Sequence, residues 1–191
     1  SGGYMVSQIT RNGGIHYALD VQTKNPLKWP KIRNQLKIIL ESENVDLIHF
    51  CSRVPAWIGV PLGTVLDIPI ITSVHMRFRK ANFLKKYYNS ILTKGNSIIA
   101  ISKHIEESIK FSFPQVSNRI KIIHRGVDLD LFDPSKINPE RIIAQSKLLN
   151  LKDNIPVIIM AARPAMWKGY KVLIRALSKV EYNFQCVLIG A

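Results

Sequence analysis

Acidic residues are scarce in this 191-residue chain, where 13 Asp and Glu stand against 27 Lys and Arg for a formal charge of +14. An imbalance of that size attracts polyanions, and nucleic acid, anionic lipid and a nucleotide diphosphate all qualify. Part of the excess follows composition, since the chain is rich in Ile, Lys and Asn, and a run of like charge is as readily a solvated face as a binding site. Cysteine is scarcer still. Cys51 and Cys186 each sit in an apolar run, far apart in sequence, so they build no zinc finger or disulfide framework and are expected to be reduced, buried and inert in a cytosolic protein. Long apolar runs are missing. The longest, residues 155–162, falls far short of the ~20 residues that cross a bilayer, so the chain is expected not to span a membrane. No Gly-x-Gly-x-x-Gly, Walker sequence or Ser-centred nucleophile elbow occurs, which removes the usual support for dinucleotide oxidoreductases, P-loop NTPases and serine hydrolases. Histidines 16, 49, 75, 104 and 124 show no two-ligand spacing on a common helix or hairpin, so no metal site is expected.

What remains is ordinary globular material, with 47% hydrophobic and 21% charged residues. Disordered, collagen-like and fibrous classes are excluded, and a chain of this length buries roughly 70% of its unfolded surface. Short β-branched runs at 45–50, 68–74, 97–101, 119–124, 156–160 and 184–189 are nearly continuous in apolarity, as strands covered on both faces of a parallel sheet must be. Helical segments are expected between them, at 29–43, 56–66, 81–94, 103–111, 139–149 and 170–179. Ser102 is placed to cap the helix after it, and Leu84, Tyr87, Tyr88 and Ile91 share one helical face. The pattern is β-α-β-α, a doubly wound α/β sheet with residues 45–50, 68–74 and 97–101 adjacent at its centre. Composition shifts once, at the turn-rich stretch Gly126-Val-Asp-Leu-Asp-Leu-Phe-Asp-Pro134, which reads as a linker to a second α/β unit represented by β-α-β alone.

Ligands of open parallel sheets bind beyond the carboxyl ends of the strands. The loop Ala161-Ala-Arg-Pro-Ala-Met-Trp-Lys-Gly169 brings Arg163 and Lys168 to a strand-to-helix turn, where free backbone N–H groups and two cations suit a diphosphate or, on position alone, water equally well. His75 follows the strand at 68–74. A neutral imidazole there can donate to a sugar hydroxyl, although a structural histidine is the commoner case. The stretch from Met76 to Tyr88 carries Arg77, Arg79, Lys80, Lys85 and Lys86 with interleaved aromatics and no acid, and reads as a membrane-surface contact. Single-stranded nucleic acid suits the same alternation, but no RNP, KH or helix-turn-helix sequence accompanies it.

Several motifs occur together in a family's order and spacing: Val45-Asp-Leu-Ile-His49 with Ser52-Arg-Val-Pro-Ala-Trp57, Thr72-Ser-Val-His75, Tyr88-Asn-Ser-Ile-Leu-Thr-Lys-Gly95, Ile98-Ile-Ala-Ile-Ser102, His124-Arg-Gly-Val-Asp-Leu-Asp-Leu-Phe-Asp-Pro134, and Arg163 followed by Trp167-Lys168-Gly169. Over nearly its whole length the chain resembles the two-domain retaining glycosyltransferases of family 4, in a bacterial envelope branch associated with lipopolysaccharide-core assembly. The resemblance implies a GT-B fold, with residues 1–130 most of an acceptor-side Rossmann-like domain and 131–191 the linker and beginning of a nucleotide-sugar-binding domain. It assigns His75 to the transferring sugar as the catalytic-side histidine, and Arg163, Lys168 and Gly169 to the donor diphosphate. Arg53, Trp57 and Arg125 fall on the acceptor side of the cleft. It further implies metal-independent transfer from a nucleotide sugar to a lipid-linked or lipopolysaccharide-core acceptor, at the inner face of the cytoplasmic membrane, with nucleic acid not expected as a partner. The family's amino-terminal glycine-rich loop and its late pair of glutamates have no counterpart, and the arginine is preceded by Ala162 in place of the usual Gly. The chain opens on Ser-Gly-Gly and stops on Leu188-Ile-Gly-Ala191, so truncation at both ends, and with it a loss of turnover, is expected. The alternative is a non-catalytic basic remnant that binds anionic membrane or nucleic acid.

Overall fold

Three helices of this chain end on Asn or Asp in the left-handed region, which those two residues tolerate better than other L residues. Asn44 (φ 47°), Asp67 (φ 54°) and Asn150 (φ 51°) each reverse the chain, and the next amide closes back onto the helix: Val45 N–H donates to Leu40 O, Ile68 N–H to Gly63 O and Leu151 N–H to Ser146 O. The computed structural model describes residues 3, 5–78 and 82–190. They form two compact units, Ser1–Gly126 and Val127–Ala191, dividing a few residues ahead of the 130/131 boundary read from the sequence.

The first unit runs α1 (Val6–Arg11), α2 (Trp29–Ser42), β1 (Ile48–Phe50), α3 (Arg53–Val65), β2 (Ile70–Val74), α4 (Phe83–Ser90), β3 (Ser97–Ala100), α5 (Lys103–Ser112) and β4 (Ile120–Ile122). All its strands are parallel, in the order β1-β2-β3-β4, with Ile48 opposite Ile70, Thr72 opposite Ile98 and Ile98 opposite Ile120. Helical crossovers are what parallel neighbours require. The three strands expected to be adjacent are adjacent. One correction concerns β1, which is an end strand among the described residues and not central: Ile48 and Phe50 are buried while His49 between them is exposed.

Helix α3 packs closely on β1 because a Cβ at Gly59 would lie 2.3 Å from the ring of Phe50, contact only glycine permits. Pro61 sits inside α3 and lacks the N–H that would meet the carbonyl of Trp57. Arg33 of α2 supplies the missing donor, its Nη2 reaching Trp57 O at 3.4 Å and its Nε reaching Ile58 O at 3.0 Å. Helix α5 begins at Ser102, whose Oγ accepts from Ile105 N–H at 3.3 Å, the predicted cap. Ser102→Ala is expected to cost about 1 kcal/mol and lower the thermal midpoint by several degrees, read by calorimetry.

The second unit contains α6 (Pro139–Leu148), β5 (Val157–Ala161), α7 (Tyr170–Leu177) and β6 (Gln185–Ile189), with β5 and β6 parallel. Every buried apolar side chain lies in the first unit, and no described residue of the second is buried. Strands read as covered on both faces are therefore half-open here, since two strands and the helix joining them enclose no core. Cys186 on β6 is exposed for that reason, and Cys51 is exposed because it lies one residue past β1; neither is the buried thiol expected. Among the described residues no helix is long and apolar enough to cross a membrane.

Candidate functional site

The carboxyl ends of β1, β2 and β4 bring together residues that are far apart in sequence. His49 and Ser73 occupy the same face of neighbouring strands, offset by two residues in the β1–β2 register. Their Nε2 and Oγ share a hydrogen bond of 2.6 Å, and the thiol of Cys51 lies 3.8 Å from the same nitrogen. Ser73 is buried and holds the exposed imidazole in place. His75 follows at the end of β2. Arg125, just after β4, crosses the end of β3, about 10 Å of sheet, and its Nη2 donates to His75 Nδ1 at 3.5 Å. A donor at Nδ1 leaves the ring proton on Nε2. Desolvation first, then Arg125 and His49, push the His75 pKa below its ordinary 6.5, so the ring is neutral at pH 7. His124 turns away, its Nδ1–H donating to Ile101 O at 3.2 Å.

Two other residues assigned to the acceptor side join α3 to α4. Arg53, first residue of α3, donates from Nε to the buried Asn89 Oδ1 at 2.7 Å, and Trp57 donates from Nε1 to Tyr88 O at 3.2 Å. The Trp57 ring lies 5.2 Å from that of Tyr87. Together they clamp α3 to α4. Trp57 is committed to that clamp, whereas Arg53 also lines an open cavity of about 250 Å³ with Gln22, Ser52, Val54, Pro55 and Tyr88.

Ahead of α4, Phe78 is buried against α5, with its ring edge-on to Phe113 at 5.5 Å and its N–H donating to Ser108 Oγ at 2.9 Å, and Lys86 of α4 lies with Nζ 5.7 Å from the centre of the Phe113 ring. Helix α4 carries the exposed Lys85 and Lys86 beside Phe83, Leu84 and Tyr87, which are 80%, 73% and 60% exposed. Of Leu84, Tyr87, Tyr88 and Ile91, which were read as sharing one helical face, only Ile91 is buried. Arg77 is exposed, and Arg79 and Lys80 lie outside the described residues.

In the second unit, β5 leads through a 3-10 turn at Met166–Lys168 to Gly169, whose φ of +84° only glycine adopts freely, and then into α7. The turn is tied to β6: Ala162 N–H donates to Ile189 O at 2.8 Å, the Tyr170 hydroxyl donates to Ala162 O, and a Cβ at Gly190 would strike that same carbonyl. Lys168 lies with Nζ 4.4 Å above the Trp167 ring, and Arg163 is exposed with no ion pair among the described residues. The amides of Val172 and Leu173 bond back to Gly169 O, leaving those of Tyr170 and Lys171 unpaired within the helix. Arg163 and Lys168 thus sit on the one turn that leads into α7.

The sequence model described as Glycosyltransferase Family 4 matches residues 9–131. The chain belongs to glycosyltransferase family 4. Among family-like relatives, it is 24% identical over 143 residues to spore coat protein SA of Bacillus subtilis (strain 168), covering 74% of this chain and 38% of that protein. It is 24% identical over 171 residues to the uncharacterized glycosyltransferase MJ1607 of Methanocaldococcus jannaschii, covering 80% and 42%. The crystal structure of a glycosyltransferase from Rickettsia africae ESF-5 superposes with a TM-score of 0.84 at 31% identity, over 99% of this chain and 50% of that one. Anabaena Alr3699/HepE, crystallised with UDP and glucose, superposes at 0.76 and 18% identity, over 98% and 51%. The fold is that of GT-B glycosyltransferases, as expected. The chain spans about two fifths of those two relatives and half of those two structures. His49 and Ser73 lie in motifs quoted above, but neither they nor Cys51 were singled out as site residues, because only the strand register brings them together.

Proposed function

We propose that this chain is the acceptor-side domain and the donor-diphosphate turn of a glycosyltransferase that moves a sugar, with retention at the anomeric carbon, from a nucleotide sugar to a lipid-linked or lipopolysaccharide-core acceptor. The observation that carries the donor half is the turn between β5 and α7, which bears both Arg163 and Lys168 and passes through Gly169 into the helix. Support comes from structures of the same fold that hold UDP and UDP-glucose. In this reading the bond between the anomeric carbon and the phosphate oxygen breaks, the acceptor hydroxyl bonds to that carbon on the same face, and its proton passes to the departing phosphate. The two cations and the helix amides stabilise the charge developing on that phosphate, so no metal is required. His75, neutral, donates from Nε2–H to a hydroxyl of the transferring sugar.

Titrating the isotopically labelled chain with UDP-glucose and a panel of other nucleotide sugars tests the donor half. Amide resonances of Arg163, Lys168 and Gly169 are expected to shift with one of them. No response to any nucleotide sugar overturns it.

The acceptor reading places α4 against the inner face of the cytoplasmic membrane, with Lys85, Lys86 and Arg77 on anionic headgroups and Phe83, Leu84 and Tyr87 among the acyl chains. At ~1 kcal/mol per cation, changing those three to Gln is expected to weaken binding to phosphatidylglycerol vesicles on the order of a hundredfold, read by co-sedimentation at low salt. Equal binding by wild type and variant rejects the contact.

A further inference from the structure

Of the two cations on the turn between β5 and α7, Lys168 is the one held by a neighbouring side chain among the described residues. Its Nζ lies 4.4 Å from the centre of the Trp167 ring, inside the ~6 Å over which the negative face of an indole attracts an ammonium. Crowding does not force this contact. Consecutive side chains of a 3-10 turn project about 120° apart, Met166 and Trp167 are 93% and 65% exposed, and Lys168 is exposed as well. The lysine stem therefore has open water around it, and it folds back onto the ring. No carboxylate pairs with it among the described residues. The ring stands on a backbone tied at both ends of the turn: Lys168 N–H donates to Ala165 O at 2.9 Å, Gly169 N–H to Met166 O at 3.4 Å, and the amides of Val172 and Leu173 to Gly169 O, each at 2.9 Å.

We propose that Trp167 is the positioning residue for Lys168, its indole face holding the ammonium ready for the donor diphosphate. The inference rests on reading this turn as the diphosphate site, and it adds a residue that acts on the donor only through the lysine. An ammonium has three N–H donors, so one directed at the ring leaves two for phosphate oxygens. A lysine free in water gives up the rotamer freedom of its four-carbon stem when it engages an anion, and a lysine already folded onto a ring has given up much of it beforehand. Arg163 carries a planar fork that loses less freedom per bond formed, so the ring serves the cation that gains more from it.

The first readout needs no ligand. In the lysine-labelled chain the Lys168 Cε protons are expected upfield of those of the other lysines, shifted by the indole ring current, and to return to the ordinary position in Trp167→Leu. Ordinary Lys168 resonances in the wild type overturn the proposal. The second readout is the Gly169 amide during titration with inorganic pyrophosphate and, separately, with UDP. Trp167→Leu is expected to weaken both roughly threefold, the size of an exposed cation–π contact, while Trp167→Phe keeps an aromatic face and most of the affinity. In a Lys168→Gln background the further change Trp167→Leu is expected to add nothing. A merely structural ring gives the same loss with or without the lysine, and that outcome overturns the proposal. A loss toward UDP but not toward pyrophosphate assigns the indole to the nucleoside and overturns it as well. Failure of the wild type to respond to either probe removes the donor reading and this inference with it, whereas a wild-type response that Trp167→Leu matches removes this inference alone.

Discussion

Replacing Arg163 by alanine is expected to weaken binding of the responsive nucleotide sugar tenfold or more, and Lys168→Ala to do so comparably. A charge-assisted hydrogen bond to phosphate contributes ~1.5–3 kcal/mol, and each 1.4 kcal/mol is about a factor of ten in Kd. Both side chains are exposed on the turn and neither pairs with a carboxylate among the described residues, so alanine tests the proposed phosphate contact without disturbing an ion pair there. Lys168 is already held over Trp167, which lowers the entropy lost when it engages an anion. Gly169→Ala supplies an independent check. Its φ of +84° strains any side chain by about 1–2 kcal/mol, so the turn re-forms with Lys168 and the start of α7 displaced, and affinity falls with both cations still present. Chemical-shift titrations of the three variants measure this directly. Unchanged affinity in both the Arg163 and Lys168 variants would falsify the assignment of the turn to the diphosphate.

The alternation of short apolar runs with amphipathic segments was enough to read the parallel sheet and most helix limits, because a parallel strand must be apolar along its length and its crossover must be helical. α2, expected over 29–43, is Trp29–Ser42, and α6, expected over 139–149, is Pro139–Leu148. Side-chain partnerships were not legible. His49 meets Ser73, and Arg125 meets His75, only once the strand order and register are known, since neither pair shares an element. The contacts that Trp57 makes with α4, through its ring and its Nε1–H, were likewise not visible in its motif. Apolarity also misled at β5, β6 and Cys186, where the residues suit a covered sheet but nothing in their own unit encloses them. The Arg163 and Lys168 turn was readable because its elements are consecutive in sequence.

The same contrast between the two units sets the largest expected effect on stability. Ile98 is wholly buried on β3, flanked by Thr72 of β2 and Ile120 of β4, and Thr72 is itself buried with its hydroxyl donating to Leu92 O at 2.6 Å. Ile98→Ala deletes three carbons where rigid strands on both sides limit collapse, so the cavity persists and the cost is about 2–5 kcal/mol. Against a typical domain stability of ~5–15 kcal/mol, that is a large fraction of the total. Ile159 on β5 has the same side chain but is 59% exposed, so Ile159→Ala is expected to cost under about 1 kcal/mol. Urea titrations followed by the fluorescence of Trp57, which is half-buried against the core of the first unit, separate the two variants. The Ile98 variant is expected to unfold at markedly lower urea with its slope unchanged, while the Ile159 variant tracks the wild type. Equal displacement of the two midpoints would mean that β3 is not the packed centre of this domain, and with it the rigid edge that carries His49, His75 and Arg125 would lose its footing.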